Sequence, residues 1–216
     1  MTSGQWNVVL GHNTGGPSSS SNNVLIGYAT GRQMTTGGNQ TFVGQRVGDA
    51  TTTGANNCAF GMESLYTNST GSNNTAIGYY ALRQSTTASG NVALGYQALK
   101  ANTTAADNTA LGYNAMLVST TGAYNTAVGN IALDELTTGS FNTGVGRTAL
   151  SGVTTGAKNI SIGYGSGRDI TTGSDNVIIG DWGGSATLAS TVAIYAGTTE
   201  RLKVDSSGLT INGSAV

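Results

Sequence analysis

The chain has 216 residues, including 34 glycines and one proline; only 9% of the residues are charged, and the net charge is −1. This composition suits neither an ordinary α/β domain nor a disordered chain, because disorder normally combines high charge with few β-branched residues. The near-neutral charge gives no electrostatic reason to expect nucleic acid or an anionic membrane as a partner. A single cysteine, Cys58, excludes an internal disulfide framework.

Targeting and membrane signals are missing from the sequence. No apolar run approaches the roughly 18 to 20 residues that a membrane-spanning helix needs, so we expect no membrane insertion. The first ten residues, MTSGQWNVVL, lack the basic and apolar regions of a signal peptide.

A seventeen-residue repeat runs through most of the chain. The blocks NTAIGYYALRQSTTASG, NVALGYQALKANTTAAD and NTALGYNAMLVSTTGAY follow one another from Asn74 to Tyr124. A fixed short period is typical of a solenoid in which each repeat forms one coil. We therefore predict an all-β fold, a parallel β-solenoid of about eleven coils over residues 1–183. The motif glycine of these repeats recurs every 17 residues after a first step of 16, at Gly11, Gly27, Gly44, Gly61, Gly78, Gly95, Gly112, Gly129, Gly146, Gly163 and Gly180.

Each repeat alternates around its motif glycine, which we number as position 0. Position −4 is Asn in every repeat except the one with Gln40, position −2 is small or apolar, and position −1 is always large and apolar. Because side chains alternate along a strand, Asn, Ala and Gly share one face. Thr or Val, the large apolar residue and often Tyr share the other face. The alternation predicts a short strand.

A second apolar pair follows the motif glycine at positions +3 and +4, and we interpret it as a short second strand. Thr-Thr-Gly at positions −9 to −7 predicts a turn, where glycine can adopt a positive φ. The pairs include Ala81-Leu82, Ala98-Leu99, Ala115-Met116, Ala132-Leu133 and Ala149-Leu150.

The motif glycines are expected to have a structural role. We place Gly112 between a buried Leu111 and Tyr113, and we expect another backbone to pass close to it, so a larger side chain would overpack the site. The same expectation covers the structural repeat glycines Gly78, Gly95, Gly129 and Gly146.

One coil encloses little apolar surface. Folding costs about 1 to 2 kcal/mol of backbone entropy per residue, and thin units generally cannot recover this cost alone. Both faces of the strand carry apolar or small residues, so one face can line the coil while the other meets a second chain. We therefore predict a homotrimer of solenoids, either intertwined or side by side.

The pattern N-x-A-(I/V/L)-G-x-x-A, as in NTAIGYYA from Asn74 to Ala81, is similar to the head repeats of trimeric autotransporter adhesins. Those heads are left-handed parallel β-rolls that trimerise side by side. The pattern resembles even more the N-T-A-(V/I/L)-G-x-x-A-L runs of bacteriophage tail fibres, over roughly residues 7 to 183. The resemblance implies an extracellular fibre of a virion tail, with other tail proteins and a host cell-surface glycan or protein as partners.

The segment 184–216 departs from the repeat. In ERLKVDSSGLTINGSAV, Leu202 to Val204 and Leu209 to Ile211 alternate as two strands around a Ser-Ser-Gly turn. The segment is similar to the strand–turn–strand that precedes the self-cleaving chaperone domain of many phage tail fibres. On that resemblance the chain is either the mature product, with Val216 at the cleavage site, or a fragment.

Catalytic and metal-binding patterns are weak, so we expect no enzyme activity and no cofactor. A glycosidase needs two carboxyl groups within roughly 5 to 10 Å, and the adjacent pair Asp134-Glu135 would point to opposite faces of a strand. Gly163 to Gly167 mimics a phosphate-binding loop but lacks its helix and lysine. His12 is alone, and Cys58 fits a small packed side chain.

Two side-chain columns could carry function. Tyrosines at position +1, Tyr79, Tyr96 and Tyr113, could stack on sugar rings or form an internal aromatic stack, and we favour the internal stack. Threonines at position −8 could bind ice or could simply suit a turn. The resemblance to tail fibres implies a structural and host-attachment component of a phage tail fibre; a bacterial surface adhesin head and an ice-binding solenoid are the alternatives.

Overall fold

A computed structural model describes residues 4–15, 19–212 and 214–215. The chain divides into two compact units, an N-terminal unit of residues 1–110 and a C-terminal unit of residues 111–216. All regular elements of the described residues are strands, so the all-β prediction is confirmed. Both units are built from β-solenoid coils of about 17 residues, as the period predicts.

Coils of the N-terminal unit each contribute one three-residue strand to a parallel sheet. Neighbouring strands pair in register, so equivalent residues of successive repeats lie side by side; Ala76 pairs with Ala93, for example. The strands are β1 (Val8–Leu10), β2 (Val24–Ile26), β3 (Thr41–Val43), β4 (Cys58–Phe60), β5 (Thr75–Ile77) and β6 (Val92–Leu94), and the division between the units falls within β7 (Thr109–Leu111).

The C-terminal unit begins with the same coils and ends in an antiparallel sheet. Parallel pairing continues as far as β12, and β12 to β15 then pair antiparallel around tight turns. Strands β13 and β14 contain the segments Leu202 to Val204 and Leu209 to Ile211. The strands are β8 (Thr126–Val128), β9 (Thr143–Val145), β10 (Ile160–Ile162), β11 (Val177–Ile179), β12 (Val192–Ala196), β13 (Thr199–Asp205), β14 (Gly208–Ile211) and β15 (Ser214–Ala215).

From β2 to β11, the face of each strand that carries positions −4 and −2 lines the interior of its coil. Ala76 and Ala93 at position −2 are fully buried, and so are the apolar residues at position +4, such as Leu82 and Leu99. The alternation in the sequence therefore divided the side chains into two faces correctly, because side chains on a strand point in turn to opposite sides, but it did not show which face lines the coil.

A ladder of buried asparagines connects successive coils, a role that the sequence analysis missed. Asn74 Oδ1 accepts hydrogen bonds from the Asn91 amide N–H at 3.0 Å and from Asn91 Nδ2 at 3.2 Å. Asn91 Nδ2 also donates to the Ala105 carbonyl of the following coil at 3.0 Å. Asn142 and Asn159 repeat the arrangement in the C-terminal unit. The Asn at position −4 thus satisfies buried backbone groups that would otherwise lack partners.

The prediction of a second strand at positions +3 and +4 is wrong. The segment after the motif glycine is a series of turns in which the residues at +2 and +4 adopt positive φ, for example 61° at Tyr80 and 49° at Leu82. Backbone hydrogen bonds between coils hold these angles; Leu82 N–H donates to the Ala98 carbonyl at 3.0 Å. The apolar pair is nevertheless buried, because the turn directs it inward.

Both glycine columns allow the next coil to approach closely, but only the motif glycines also need a positive φ. The motif glycines have positive φ, and a Cβ on Gly112 would lie 2.2 Å from the Gly129 carbonyl oxygen of the next coil. The backbone that passes close to Gly112 therefore includes the next coil of the same chain. The Thr-Thr-Gly glycines lack the positive φ that we predicted. At Gly139 a Cβ would lie 2.1 Å from the Gly156 carbonyl oxygen, so close stacking of coils requires glycine there.

Candidate functional site

Large apolar side chains at positions −3 and −1 project away from the coil interior and form what we call the strand face. The prediction that Leu111 is buried is wrong, since 40% of the residue is exposed. The side chains at positions −3 and −1 are exposed because they alternate along the strand with the inward-facing Asn and Ala. The exposed members are Val8, Leu10, Phe60, Val92 and Leu94 in the N-terminal unit, and Leu111, Ile160, Ile162, Ile179, Val192 and Ile194 in the C-terminal unit.

The tyrosine column at position +1 also lies outside the coil. Tyr79, Tyr96 and Tyr113 are 36%, 42% and 50% exposed, so the single chain does not bury this column. The rings of Tyr79 and Tyr96 stack with centroids 5.3 Å apart and planes 7° apart. Their facing surfaces cover each other, and no sugar ring fits between them. Stacking on sugars would require an outer ring face or the ring edges.

Tyr79 is in addition stacked on its chain neighbour Tyr80, with ring centroids 3.8 Å apart. A hydrogen bond with the Tyr80 hydroxyl, followed by desolvation, raises the pKa of Tyr79 to about 12. The Tyr79 hydroxyl is protonated at neutral pH, as a tyrosine with its ordinary pKa would also be, and it can donate a hydrogen bond.

The threonine rank at position −8 is exposed on every coil from Thr36 to Thr172. The neighbouring position −9 behaves differently, because its hydroxyl bonds to the next coil; Thr137 Oγ1 donates to the Thr154 carbonyl at 2.9 Å. One rank of hydroxyls is thus presented to solvent while its neighbour is engaged in holding the stack.

The polar groups that we considered for catalysis or metal binding lie apart. Burial raises the pKa of Asp134 to about 6, whereas the adjacent Glu135 is exposed. His12 stacks on Tyr28 with ring centroids 5.6 Å apart, and burial raises the pKa of the Cys58 thiol, which disfavours a reactive thiolate. Within residues 4–15, 19–212 and 214–215, no three His, Cys, Asp or Glu side chains are grouped as a metal site would need.

The glycine-rich segment Gly163 to Gly167 forms the turn after β10. Gly165 and Gly167 adopt positive φ values of 63° and 68°, and turns rather than a helix follow. The segment therefore lacks the helix N-terminus on which a phosphate loop depends.

A charged stripe in the N-terminal unit was missed by the sequence analysis. It occupies positions +2 and +5, and we call it the arginine–tyrosine stripe. Asp49 contacts Arg32 at 3.0 Å, and Glu63 contacts Arg46 at 2.8 Å and Arg83 at 2.7 Å. The pattern could have been found by aligning the charged residues on the repeat, since they fall in two columns. Its members are Arg32, Arg46, Asp49, Glu63, Tyr66, Tyr80, Arg83 and Lys100.

Aromatic rings alternate with cations along this stripe. The Arg46 guanidinium lies 4.5 Å from the centre of the Tyr66 ring, and the Arg83 guanidinium lies 5.4 Å from the same ring. Arg83 also lies 4.7 Å from the centre of the Tyr80 ring. Such cation–π contacts fix the guanidinium groups in place, which leaves fewer rotamers to order when a ligand binds.

Comparisons with known proteins found no match: no family model, no curated protein and no solved structure is similar to this chain. Over the part of the chain that the structure describes, no helix is long and apolar enough to cross a membrane.

Proposed function

We propose that the chain is a structural and host-attachment component of a bacteriophage tail fibre, a homotrimer without chemistry of its own. The exposed strand face is the observation that carries this proposal. Monomeric proteins rarely expose contiguous apolar patches larger than a few hundred Å², and larger patches mark interaction sites. The resemblance of the N-T-A-(I/V/L)-G repeats to tail fibres supplies the functional class.

A second copy of the chain is the partner that the strand face suits. Its side chains are uncharged and recur once per coil, so an equivalent surface with the same 17-residue period matches them along the stack. Three copies around one axis would cover this face on every chain. Covering it would also add the apolar burial that one thin coil cannot supply.

Light scattering on the purified chain tests the assembly. We expect a mass near three times the 21.6 kDa of one chain. Leu94→Lys on the strand face should give monomers, because a buried unpaired charge is costly, whereas Thr87→Lys on the exposed threonine rank should leave the trimer intact. A stable folded monomer of the unchanged protein would contradict the trimer.

Attachment is tested by adsorption of the labelled protein to a panel of bacterial cells. We expect saturable adsorption to a subset of strains, because an extracellular virion fibre would bind a surface glycan or protein that only some strains carry.

Neighbouring genes separate this proposal from a bacterial adhesin head. Genes for virion proteins would flank the gene of a tail fibre, and a membrane anchor would follow the adhesin.

The exposed threonine rank favours ice binding as a second candidate function. Nine threonines at position −8, from Thr36 to Thr172, present hydroxyl and methyl groups to solvent without interruption. The engaged hydroxyls at position −9 leave only one free rank, where a flat two-rank face would bind ice better. A thermal-hysteresis assay decides the question: measurable hysteresis would favour this function over attachment.

A further inference from the structure

The arginine–tyrosine stripe carries an excess of positive charge. Four cations, Arg32, Arg46, Arg83 and Lys100, surround two carboxylates. The carboxylates are buried, with Asp49 and Glu63 side chains only 2% and 5% exposed, while the arginines remain partly exposed. An incoming ligand therefore meets the cations rather than the carboxylates.

The solenoid does not need these charges in order to fold. The same two positions in coils of the C-terminal unit hold mainly uncharged residues, and those coils have the same turns. The uncharged residues include Asn114, Leu117, Ile131, Thr148 and Ser151, and the charged exceptions are Asp134 and Arg168. Burying two carboxylates carries a desolvation penalty that the uncharged coils avoid. The stripe is thus an addition to the repeat rather than a requirement of it.

Several donors of the stripe are unused. Arg83 donates from Nε to Glu63 Oε2 at 2.7 Å, and its two terminal nitrogens have no hydrogen-bond partner among the described residues. Lys100 Nζ forms no ion pair within the described part of the chain and lies 5.9 Å from the centre of the Tyr80 ring. Guanidinium and ammonium donors bind carboxylate, sulfate and phosphate groups strongly because the bonds are charge-assisted.

The aromatic rings favour a carbohydrate over a nucleic acid. Proteins that bind single strands stack bases on open aromatic faces, but the Arg46 and Arg83 guanidinium groups lie over the Tyr66 ring, 4.5 Å and 5.4 Å from its centre. A protein that binds a duplex through roughly 6 to 10 phosphate contacts needs a similar number of cations, whereas the stripe has four cations and two carboxylates. What the stripe offers is a row of hydroxyl and cationic donors over five coils, about 19 Å at the usual strand spacing.

We propose that the arginine–tyrosine stripe binds an acidic polysaccharide, with Arg83 and Lys100 contacting its anionic groups. The proposal rests on the attachment function and names the chemical class of the receptor. Because the cations are held by stacking on Tyr66 and Tyr80, little side-chain freedom is lost on binding.

Three polymers that share one backbone test the proposal: dextran, carboxymethyl-dextran and dextran sulfate. We expect the full chain to bind at least one charged polymer at least tenfold more tightly than neutral dextran, with an affinity that falls as salt is added. Lys100→Gln should weaken binding about three- to tenfold, because one charge-assisted contact is lost. Arg83→Gln should weaken it at least as much.

Lys158→Gln is the matched control, since Lys158 is an exposed cation at position −5 in the C-terminal unit. It should leave binding unchanged. Equal weakening by Lys158→Gln and Lys100→Gln would overturn the proposal, because the polymer would then be sensing charge in general. Equal affinity for dextran and for both charged polymers would also overturn the proposal. Tighter binding of duplex DNA than of any of the three polymers would overturn it as well. If the Lys100→Gln variant has the same melting temperature as the unchanged protein, its fold is intact and its weaker binding reflects the lost charge.

Adsorption to bacterial cells separates this proposal from the attachment function. If cells adsorb the unchanged protein and the Lys100→Gln variant equally, the stripe is not the receptor-binding site. The attachment function itself would still be supported. Polymer binding that depends on Lys100, together with no adsorption to any strain, would support the stripe and contradict attachment.

Discussion

At position −10 the two units fill the interior of the coil with different side chains. The N-terminal unit buries four polar residues there, Thr51, Asn68, Ser85 and Asn102, and one apolar residue, Met34. The C-terminal unit buries three apolar residues at the same position, Leu136, Val153 and Ile170, and one polar residue, Ser119. Both units nevertheless form coils of the same length with the same strand.

The difference shows which interactions a coil requires. Asn68 and Asn102 donate to backbone carbonyls, but the buried hydroxyls of Thr51 and Ser85 have no hydrogen-bond partner among the described residues. Polar residues at −10 are therefore tolerated although they add little stability. The asparagine ladder and the close backbone contacts at the glycines are common to both units, so we expect these to be indispensable and position −10 to adjust stability.

Substitution of a motif glycine should have the largest effect, and an equal one in the two units. A Cβ would lie 2.3 Å from the next carbonyl oxygen at both Gly78 and Gly129, where φ is 136° and 143°. Gly78→Val and Gly129→Val should each cost roughly 3 to 6 kcal/mol, from overpacking and backbone strain together. Chemical denaturation followed by circular dichroism measures the loss. If either variant is as stable as the unchanged protein, the coils of that unit can move apart to accommodate the side chain, and the prediction is wrong.

Exchange at position −10 should shift stability in opposite directions. Thr51→Val removes a buried hydroxyl that has no partner among the described residues, and should stabilise the N-terminal unit by about 1 kcal/mol. Val153→Thr places such a hydroxyl in the C-terminal unit and should cost about 1 to 3 kcal/mol. Thr and Val have nearly the same shape, so each exchange changes the polarity of the side chain with little change in packing. Shifts of the same sign in urea titrations would refute the contrast between the interiors.

Acidity should affect the C-terminal unit through Asp134, whose pKa burial raises to about 6 from the model-peptide value of 3.8. The unfolded chain ionises this carboxyl first, so its contribution to stability falls as the pH rises from about 4 to 6. Because the side chain is only partly buried, solvent screening reduces the loss to about 1 kcal/mol. Asp134→Asn should abolish this part of the pH dependence in melting curves; an unchanged pH profile would contradict it.

The smallest effect is expected from the exposed aromatic stacks. Tyr96 stacks on Tyr79 in the N-terminal unit, and Tyr124 stacks on Phe141 in the C-terminal unit with ring centroids 5.1 Å apart. Tyr96→Ala and Phe141→Ala should each cost about 0.5 to 1.5 kcal/mol, the value of an aromatic pair. A loss of 3 kcal/mol or more for Tyr96→Ala alone would indicate that another chain buries this column in the assembly.

Much of the fold follows from the repeat itself. The seventeen-residue period predicted stacked coils, and the alternation around Gly78 or Gly112 predicted the strand and its two faces, because side-chain direction on a strand has a fixed period of two. The turns after the motif glycine were not predictable in this way. Residues such as Leu82 adopt positive φ against their own preference, since hydrogen bonds to the next coil enforce it.

Among the candidate surfaces, the sequence by itself determined which residues share a column, including the tyrosines, the threonines and the motif glycines. Only the tertiary structure decided that Tyr79 and Tyr96 lie outside and that Leu111 is exposed. It also decided that Arg83 reaches Glu63 across twenty residues of chain. The physical reason is that the repeat period places equivalent residues of successive coils next to each other along the stack. The path of the turns within one coil decides which columns contact each other and which columns face solvent.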